Sequence, residues 1–405
     1  MTAPSLLTVA VVLGCAMLGG RLARLARQPA VIGEMLLAIA LGPALLGWLA
    51  PGAEAYLFPQ AVRPVLGVLA QLGVAMFMFL VGLEAQLGRG RGRGTAGVAA
   101  LSLTLPLVLG MLAALALQDQ RGAAPLWAFV LFVGGSLAVT AVPVLALILR
   151  DQGLAGTPLA STALAAAAAS DVLAWILLAV VAVGTGGPQT PVAARAAAVA
   201  ALFAGMALAR LLLRRFEHNG LLDRLHPTTL IGGALVAVTA SAAASDAAGL
   251  HTVVGPLLLG AAVPRSARLG EVLERTLGHV ARAALLPFFF VTAGLALDVS
   301  SLASPWVTAL LLAAAVLGKL GGALGGARLV GSGWPEAWRL GVLLNTRGLT
   351  ELVFLAAGLQ LGVIKAPLYT SLVVVALITT AATGPLLGLG QDGLKLPRFR
   401  RVPLS

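Results

Sequence analysis

The stretch Ala165-Ala166-Ala167-Ala168-Ala169-Ser170-Asp171-Val172-Leu173-Ala174-Trp175 sits in the middle of a run from Thr157 to Val183 whose one charged residue is Asp171. A run of this length is long enough to cross the roughly 30 Å hydrocarbon core of a bilayer. A carboxylate at its centre is expensive there, so such residues face a water-filled cavity and handle ions or protons. The stretch therefore predicts a membrane helix with a transport task.

Working outward, the whole chain has the same character. Of its 405 residues 59% are hydrophobic and 10% are charged, with mean hydropathy +0.99. These values exclude a soluble domain and predict an all-α polytopic membrane protein. Hydropathy, cut at Arg, Pro and Gly clusters, gives thirteen spans: 3–20, 29–48, 64–83, 95–117, 125–149, 157–183, 191–213, 227–247, 250–264, 281–297, 305–327, 338–362 and 366–389. The polar stretches between them are too short for an appended nucleotide-binding or regulatory module.

The formal charge of +12 is explained by topology. Of the 27 Lys and Arg residues, 21 fall in the odd-numbered connections, at the span ends that border them or in the tail, four in or bordering the even-numbered ones, and Lys319 and Arg347 lie deep inside spans. The positive-inside rule then puts the N-terminus outside and a short basic tail, 391–405, in the cytoplasm of a cell inner (plasma) membrane protein. No nucleic-acid partner is needed to account for the charge. Trp48, Trp127, Trp306, Trp334 and Trp338 fall near span ends, at headgroup level, with Trp175 the exception. Positive charges follow the first span instead of preceding it, so it reads as a retained helix. Cys15, a single cysteine, excludes an internal disulfide.

Two parts of the chain echo each other. Val31-Ile32-Gly33 returns as Val253-Val254-Gly255, and Gly82-Leu83 returns as Gly294-Leu295, each pair behind a Phe-rich stretch. Seven spans separate the copies, an odd number, so the second copy crosses the membrane in the opposite sense. The pattern predicts two inverted six-helix repeats joined by a linking helix, with a binding site near the midplane where broken helices meet.

Four places put polar groups at that depth. Thr140 and Pro143 interrupt the fifth span, since proline lacks an amide hydrogen and frees the carbonyl four residues back. Ser170 and Asp171 are in the sixth. Lys319 is in the eleventh, among Gly318, Gly322 and Gly326, whose spacing of four lets another helix approach closely. Asn345, Thr346, Arg347, Gly348 and Glu351 are in the twelfth. Spans 5 and 12 are equivalent in the two repeats, so both are expected to be broken crossing helices whose half-helix ends and free carbonyls point to one spot. A lone carboxylate there can hold a proton or a monovalent cation, which makes Asp171 the expected metal ligand.

Simpler roles are open for several of these residues. Asp171 and Lys319 can form a packing ion pair, Arg347 and Glu351 are four apart on one helix face and can satisfy each other, and Thr140 can bond back to its own helix. Asp246 and His251, near Gly249, fit a cap or solvated turn. Glu34, Glu84 and Asp298 lie close enough to span ends to reach water.

With these residues in view the chain resembles the monovalent cation:proton antiporters, the group of bacterial sodium/proton and potassium/proton exchangers and plant cation/proton exchangers. The likeness runs from about residue 28 to 390 and is carried by Gln28 to Glu34 with Leu41-Gly42-Pro43, Phe79 to Glu84, Thr140 to Leu145, Ala165 to Trp175, Asp246 to His251, Pro287 to Phe290, and Asn345 to Leu352. It implies a homodimer with a transmembrane domain over 1–390. Helices 1–3 and 8–10 would form the dimer bundle, helices 4–6 and 11–13 a core bundle that moves like an elevator, and helix 7 the linker. It also implies that Asp171 carries the ion or proton, that Thr140 lies at the crossing and that Lys319 faces the site. The sequence departs from the family at Ser170, where an Asp, Asn or Gln is usual. Without a second carboxylate beside Lys319, one-for-one electroneutral exchange of Na+ or K+ for H+ is expected, and no cofactor.

A gated monovalent cation channel is the alternative from another class, and the paired broken helices weigh against it. A permease for organic substrates would want more than 5% aromatic residues. His218, His226, His251 and His279 are not spaced as a metal pair and no nucleophile–base constellation occurs, so an enzyme is not expected.

Overall fold

The computed structural model describes all residues except 1–2, 27, 29, 44, 86–92, 155, 186–191, 221–223, 249–251, 264–266, 298–303 and 390–405. The basic tail, Gly249 to His251 and Asp298 therefore lie outside the described residues, as do the side chains of Glu84 and Pro143.

The described chain is helical throughout, and a helix is found in each of the thirteen predicted spans. In chain order these are α1 (Ala3–Leu25), α2 (Ala30–Ala40), α3 (Arg63–Ala85), α4 (Arg93–Ala116), the half-helices α5a (Leu126–Ala138) and α5b (Val142–Asp151), α6 (Pro158–Thr185), α7 (Val192–His218), α8 (Pro227–Ala247) and α9 (Val254–Ala262). Then come α10a (Ala267–Val280) and α10b (Leu286–Leu295), α11 (Pro305–Leu329), the half-helices α12a (Trp334–Leu344) and α12b (Leu349–Gln360), and α13 (Ala366–Leu389). Proline stands in the first turn of α8, α10b, α11 and α12a, where its missing N–H costs nothing.

Three spans differ from their hydropathy outlines. Helices α2 and α9 have 11 and 9 residues, about 16 and 14 Å at 1.5 Å per residue, so neither crosses a bilayer by itself. They are the equivalent helices of the two repeats, and hydropathy overestimates both because the apolar turns at their ends read like helix. The tenth span starts earlier than residue 281, because amphipathic α10a continues into α10b through a π-helical turn at Ala281–Leu285. The charged face of α10a had masked that continuity.

The inverted repeat is visible in the close contacts. Gly33 of α2 lies against the carbonyl of Gly19 on the preceding helix, and Gly255 of α9 lies against the carbonyl of Ser241 on its preceding helix, fourteen residues back in each case. The contacts also exchange between repeats. Gly82 of α3 rests on Leu257 of α9, while its counterpart Gly294 of α10b rests on Ala38 of α2. A side chain at any of the four would hit backbone, which is why these positions stand out in the sequence.

Packing divides the helices into two groups. Helices α1 to α3 and α8 to α10 pack on one another; so do α4 to α6 and α11 to α13. In the second, crossing group, α11 lies on α4 along the predicted glycine stripe, with Pro106 opposite Gly318, Leu101 opposite Gly322 and Val98 opposite Gly326. The two groups meet over an apolar surface, chiefly where α13 passes α2.

The ends of α5a and α12b away from the crossing are pinned. Gly362, at φ +64°, ends α12b in a left-handed turn in which the Val363 amide donates to Gly358 O and the Gly362 amide to Leu359 O. Arg121 pairs with Ile364 just beyond, tying the approach to α5a to the exit of α12b.

Candidate functional site: two broken helices crossing beside Asp171

The fifth helix breaks over Val139, Thr140 and Ala141, and the twelfth over Asn345 to Gly348. Pro143 is the second residue of α5b, so its missing amide falls in a first turn, where no helical acceptor waits for it, and it marks the start of a new half-helix instead of freeing a carbonyl within an unbroken one. The two breaks touch: the Ala141 amide donates to Thr346 O at 3.1 Å. Two unwound segments at mid-depth satisfy each other where no water-exposed surface could.

A helix that stops inside the bilayer leaves its last carbonyls without donors and its dipole negative. At the end of α5a this is answered by cations from elsewhere. Arg347 donates from Nη1 to Ser136 O at 3.0 Å and from Nη2 to Leu137 O at 2.8 Å. Lys319 donates to the next carbonyl, Ala138 O. Arg347 also forms the predicted ion pair with Glu351, and both side chains are 0% exposed. The pair is thus more than a mutual satisfaction: its guanidinium is the cap of another helix.

Thr140 does not bond back to its own helix. Its hydroxyl donates to Leu344 O at 2.8 Å, capping α12a, and accepts from Lys319 Nζ at 2.7 Å. Its amide donates to Ser170 Oγ at 3.2 Å, while the Ser170 hydroxyl donates to Ala167 O at 2.7 Å. Lys319, Thr140 and Ser170 therefore form one continuous chain of hydrogen bonds, ending at the residue beside Asp171. Asp171 is 4% exposed and Lys319 1%. Asp171, Glu351 and Arg347 are the charged groups near enough to Lys319 to act on it electrostatically. The hydrogen bonds of Lys319 go to Ala138 and Thr140, which makes it a helix cap held near the carboxylate and more than its packing partner.

All the predicted residues, from Thr140 and Pro143 through Ser170, Asp171 and Lys319 to Arg347 and Glu351, converge on this crossing. Two that sequence reading missed are Thr380 and Thr383 of α13. Thr380 Oγ1 accepts from the Arg347 amide at 2.9 Å and lies 2.8 Å from both Arg347 O and Ala376 O, and Thr383 meets Thr346 at 3.5 Å. The cluster Thr379, Thr380 and Thr383 in an apolar span was the available signal, but hydroxyls that bond back to their own helix look the same in sequence. Trp175, the tryptophan away from any span end, packs edge-on against Phe354, which stacks on Phe132.

Thirteen helical spans, an inverted repeat and a midplane crossing of broken helices define a membrane antiporter fold. The chain belongs to the sodium/hydrogen exchanger transmembrane family, whose model matches residues 9–389. It is 36% identical to the Na(+)/H(+) antiporter NhaS4 of Synechocystis over 94% of this chain and 95% of that protein. It is 32% identical to Cation/H(+) antiporter 20 of Arabidopsis thaliana over 89% of this chain but 45% of that protein, so it spans about half the length of the plant relative. K(+)/H(+) antiporter 1 of Saccharomyces cerevisiae matches at 29% over 89% of this chain and 43% of its own length. The solved sodium proton antiporter MjNhaP1 of Methanocaldococcus jannaschii has the same fold, with TM-score 0.61 at 15% identity, over 96% of this chain and 98% of that one. These findings establish a multi-pass membrane protein of the cation/proton antiporter family.

Proposed function

We propose that this protein exchanges a monovalent cation, Na+ or K+, for H+ with Asp171 as the shared carrier. One observation supports this above the others: the two helix breaks, the hydrogen-bonded chain from Lys319 through Thr140 to Ser170, and Asp171 all meet at one buried point. A carboxylate there is neutralised by a proton or by an alkali cation, one at a time, and that mutual exclusion is what exchange requires. Exchange is one-for-one and electroneutral, because Ser170 supplies a neutral oxygen where a second acid would add a second charge.

The crossing group, helices 4–6 and 11–13, acts as the moving core of residues 1–390. Its surface towards helices 1–3 and 8–10 is largely apolar, which lets it slide at little cost. The other group forms the dimer bundle of a homodimer in the cell inner membrane, with the N-terminus outside and the tail in the cytoplasm. Burial of Asp171 in the present conformation suits a cycle in which the site is never open to both faces.

The test is cation-driven proton flux in proteoliposomes with sodium, potassium, rubidium and lithium. Asp171→Asn is expected to lose exchange with every cation, and lowering the pH on the cation side is expected to raise the apparent KM of the wild type, since both ions compete for one group. Normal exchange by the variant would overturn the proposal. Flux without obligatory proton movement would identify a gated channel in its place.

A further inference from the structure

The break in the twelfth helix begins at Asn345, the residue that ends α12a. Asn345 is 3% exposed, yet its side-chain oxygen Oδ1 has no hydrogen-bond partner among the described residues. An unpaired amide oxygen costs stability wherever it is buried, and the cost is accounted for when the oxygen serves an ion.

The bonds of its two neighbours hold Asn345 at the crossing. Leu344 O accepts from the Thr140 hydroxyl at 2.8 Å, and Thr346 O accepts from the Ala141 amide at 3.1 Å. The Thr140 amide in turn donates to Ser170 Oγ, next to Asp171. Leu344 also shares an apolar cluster with Ala163, Ala166 and Ala167, the stretch of α6 that leads into Ser170 and Asp171. Both halves of the twelfth helix pack on α6. Asn345 therefore lies where the end of α12a, the fifth-helix break and the Asp171 helix meet.

An alkali cation sheds its water only where protein oxygens replace the shell. The hydroxyls of Thr140 and Ser170 each already donate one hydrogen bond and accept another, which leaves each oxygen one lone pair. Lys319 and Arg347 can only donate. The amide oxygen of Asn345 has both lone pairs unspent, and it adds a ligand without adding an acid. Resting on the antiport reading above, we propose that Asn345 Oδ1 is a neutral ligand of the exchanged cation, completing the site that Asp171 begins. The reach and field of this neutral dipole then contribute to the choice between sodium and potassium.

The test exploits the sign of the stability change. Asn345→Leu, close in size, removes an oxygen that bonds to nothing around it, so the melting temperature in cation-free N-methylglucamine buffer is expected to equal or exceed that of the wild type. In proteoliposomes the same variant is expected to raise the apparent KM for sodium or potassium about tenfold. Where exchange is too slow to read, the cation concentration that half-saturates thermal stabilisation gives the same comparison. Asn345→Gln, which carries the amide one methylene further out, is expected to change the ratio of the sodium and potassium KM values by at least about threefold. The proposal is overturned by an unchanged cation affinity in Asn345→Leu, which leaves the oxygen to a buried water. It is overturned equally by an affinity lost together with cation-free stability, which makes the side chain structural, or by a sodium-to-potassium ratio that Asn345→Gln leaves unchanged. Asp171→Asn in the same vesicles tests the antiport reading separately: an inactive Asp171→Asn beside an Asn345→Leu of wild-type affinity removes the ligand assignment alone.

Discussion

The two helix breaks occupy equivalent positions in the repeats, yet they are finished in opposite ways. The end of α5a is capped by two cations, Arg347 on Ser136 and Leu137 and Lys319 on Ala138. The end of α12a closes on itself, with the Asn345 and Thr346 amides turning back onto Gly341, Val342 and Leu343, and a neutral hydroxyl from Thr140 on Leu344. An inverted repeat gives matched backbones, but one centre can hold only so much charge. Positive charge is concentrated at a single half-helix end, where the dipole is negative, and the other end is left neutral. Asp171 and Glu351 are both close enough to Lys319 to act on it electrostatically, and Glu351 is the one paired with Arg347.

Substitutions at the charged end should cost most. Arg347→Ala leaves Glu351 buried without its cation and two carbonyls uncapped, with an expected loss of about 3–5 kcal/mol, read as a lowered temperature of aggregation in detergent. The double variant Arg347→Met, Glu351→Leu separates the two roles. If Arg347 only neutralised Glu351, the double would regain nearly all of the loss; as a cap of α5a it should regain part and leave a deficit of about 1–3 kcal/mol.

Lys319→Met removes the donor to Ala138 and Thr140 and is expected to cost about 1–3 kcal/mol. At the neutral end the expected loss is smaller. Thr140→Val removes one hydroxyl at a cost of about 1 kcal/mol, and Thr140→Ser, which keeps it, should restore stability and exchange together. Equal losses at the two ends would erase the contrast between them. Ser170→Asp is read by charge movement and not by stability, because it changes the electrical balance. It adds the missing acid beside Lys319 and should make exchange generate a measurable membrane potential, whereas continued electroneutral exchange would show that Ser170 does not set the stoichiometry.

Much of this arrangement could be read from the chain because a bilayer imposes strict rules. Polar residues at mid-depth are rare, so Thr140, Ser170, Asp171, Lys319, Arg347 and Glu351 stood out and all proved to be neighbours. What could not be read was who bonds to whom. Arg347 and Glu351 four apart predicted their pair but not the carbonyls of Ser136 and Leu137, more than two hundred residues away. Thr380 gave no distinct signal, since a threonine bonded to its own helix and one holding another helix's backbone have the same sequence surroundings.

The amino-acid sequence alone determined that the protein is helical, membrane-spanning, internally repeated and charged at its centre, because hydrocarbon excludes unpaired polar groups and every exception must be deliberate. Tertiary structure alone decided that α2 and α9 are short and that Lys319 and Arg347 cap α5a. Those facts depend on which backbone groups lack a donor after the helices have met, and that is a property of the packed arrangement and of no single segment.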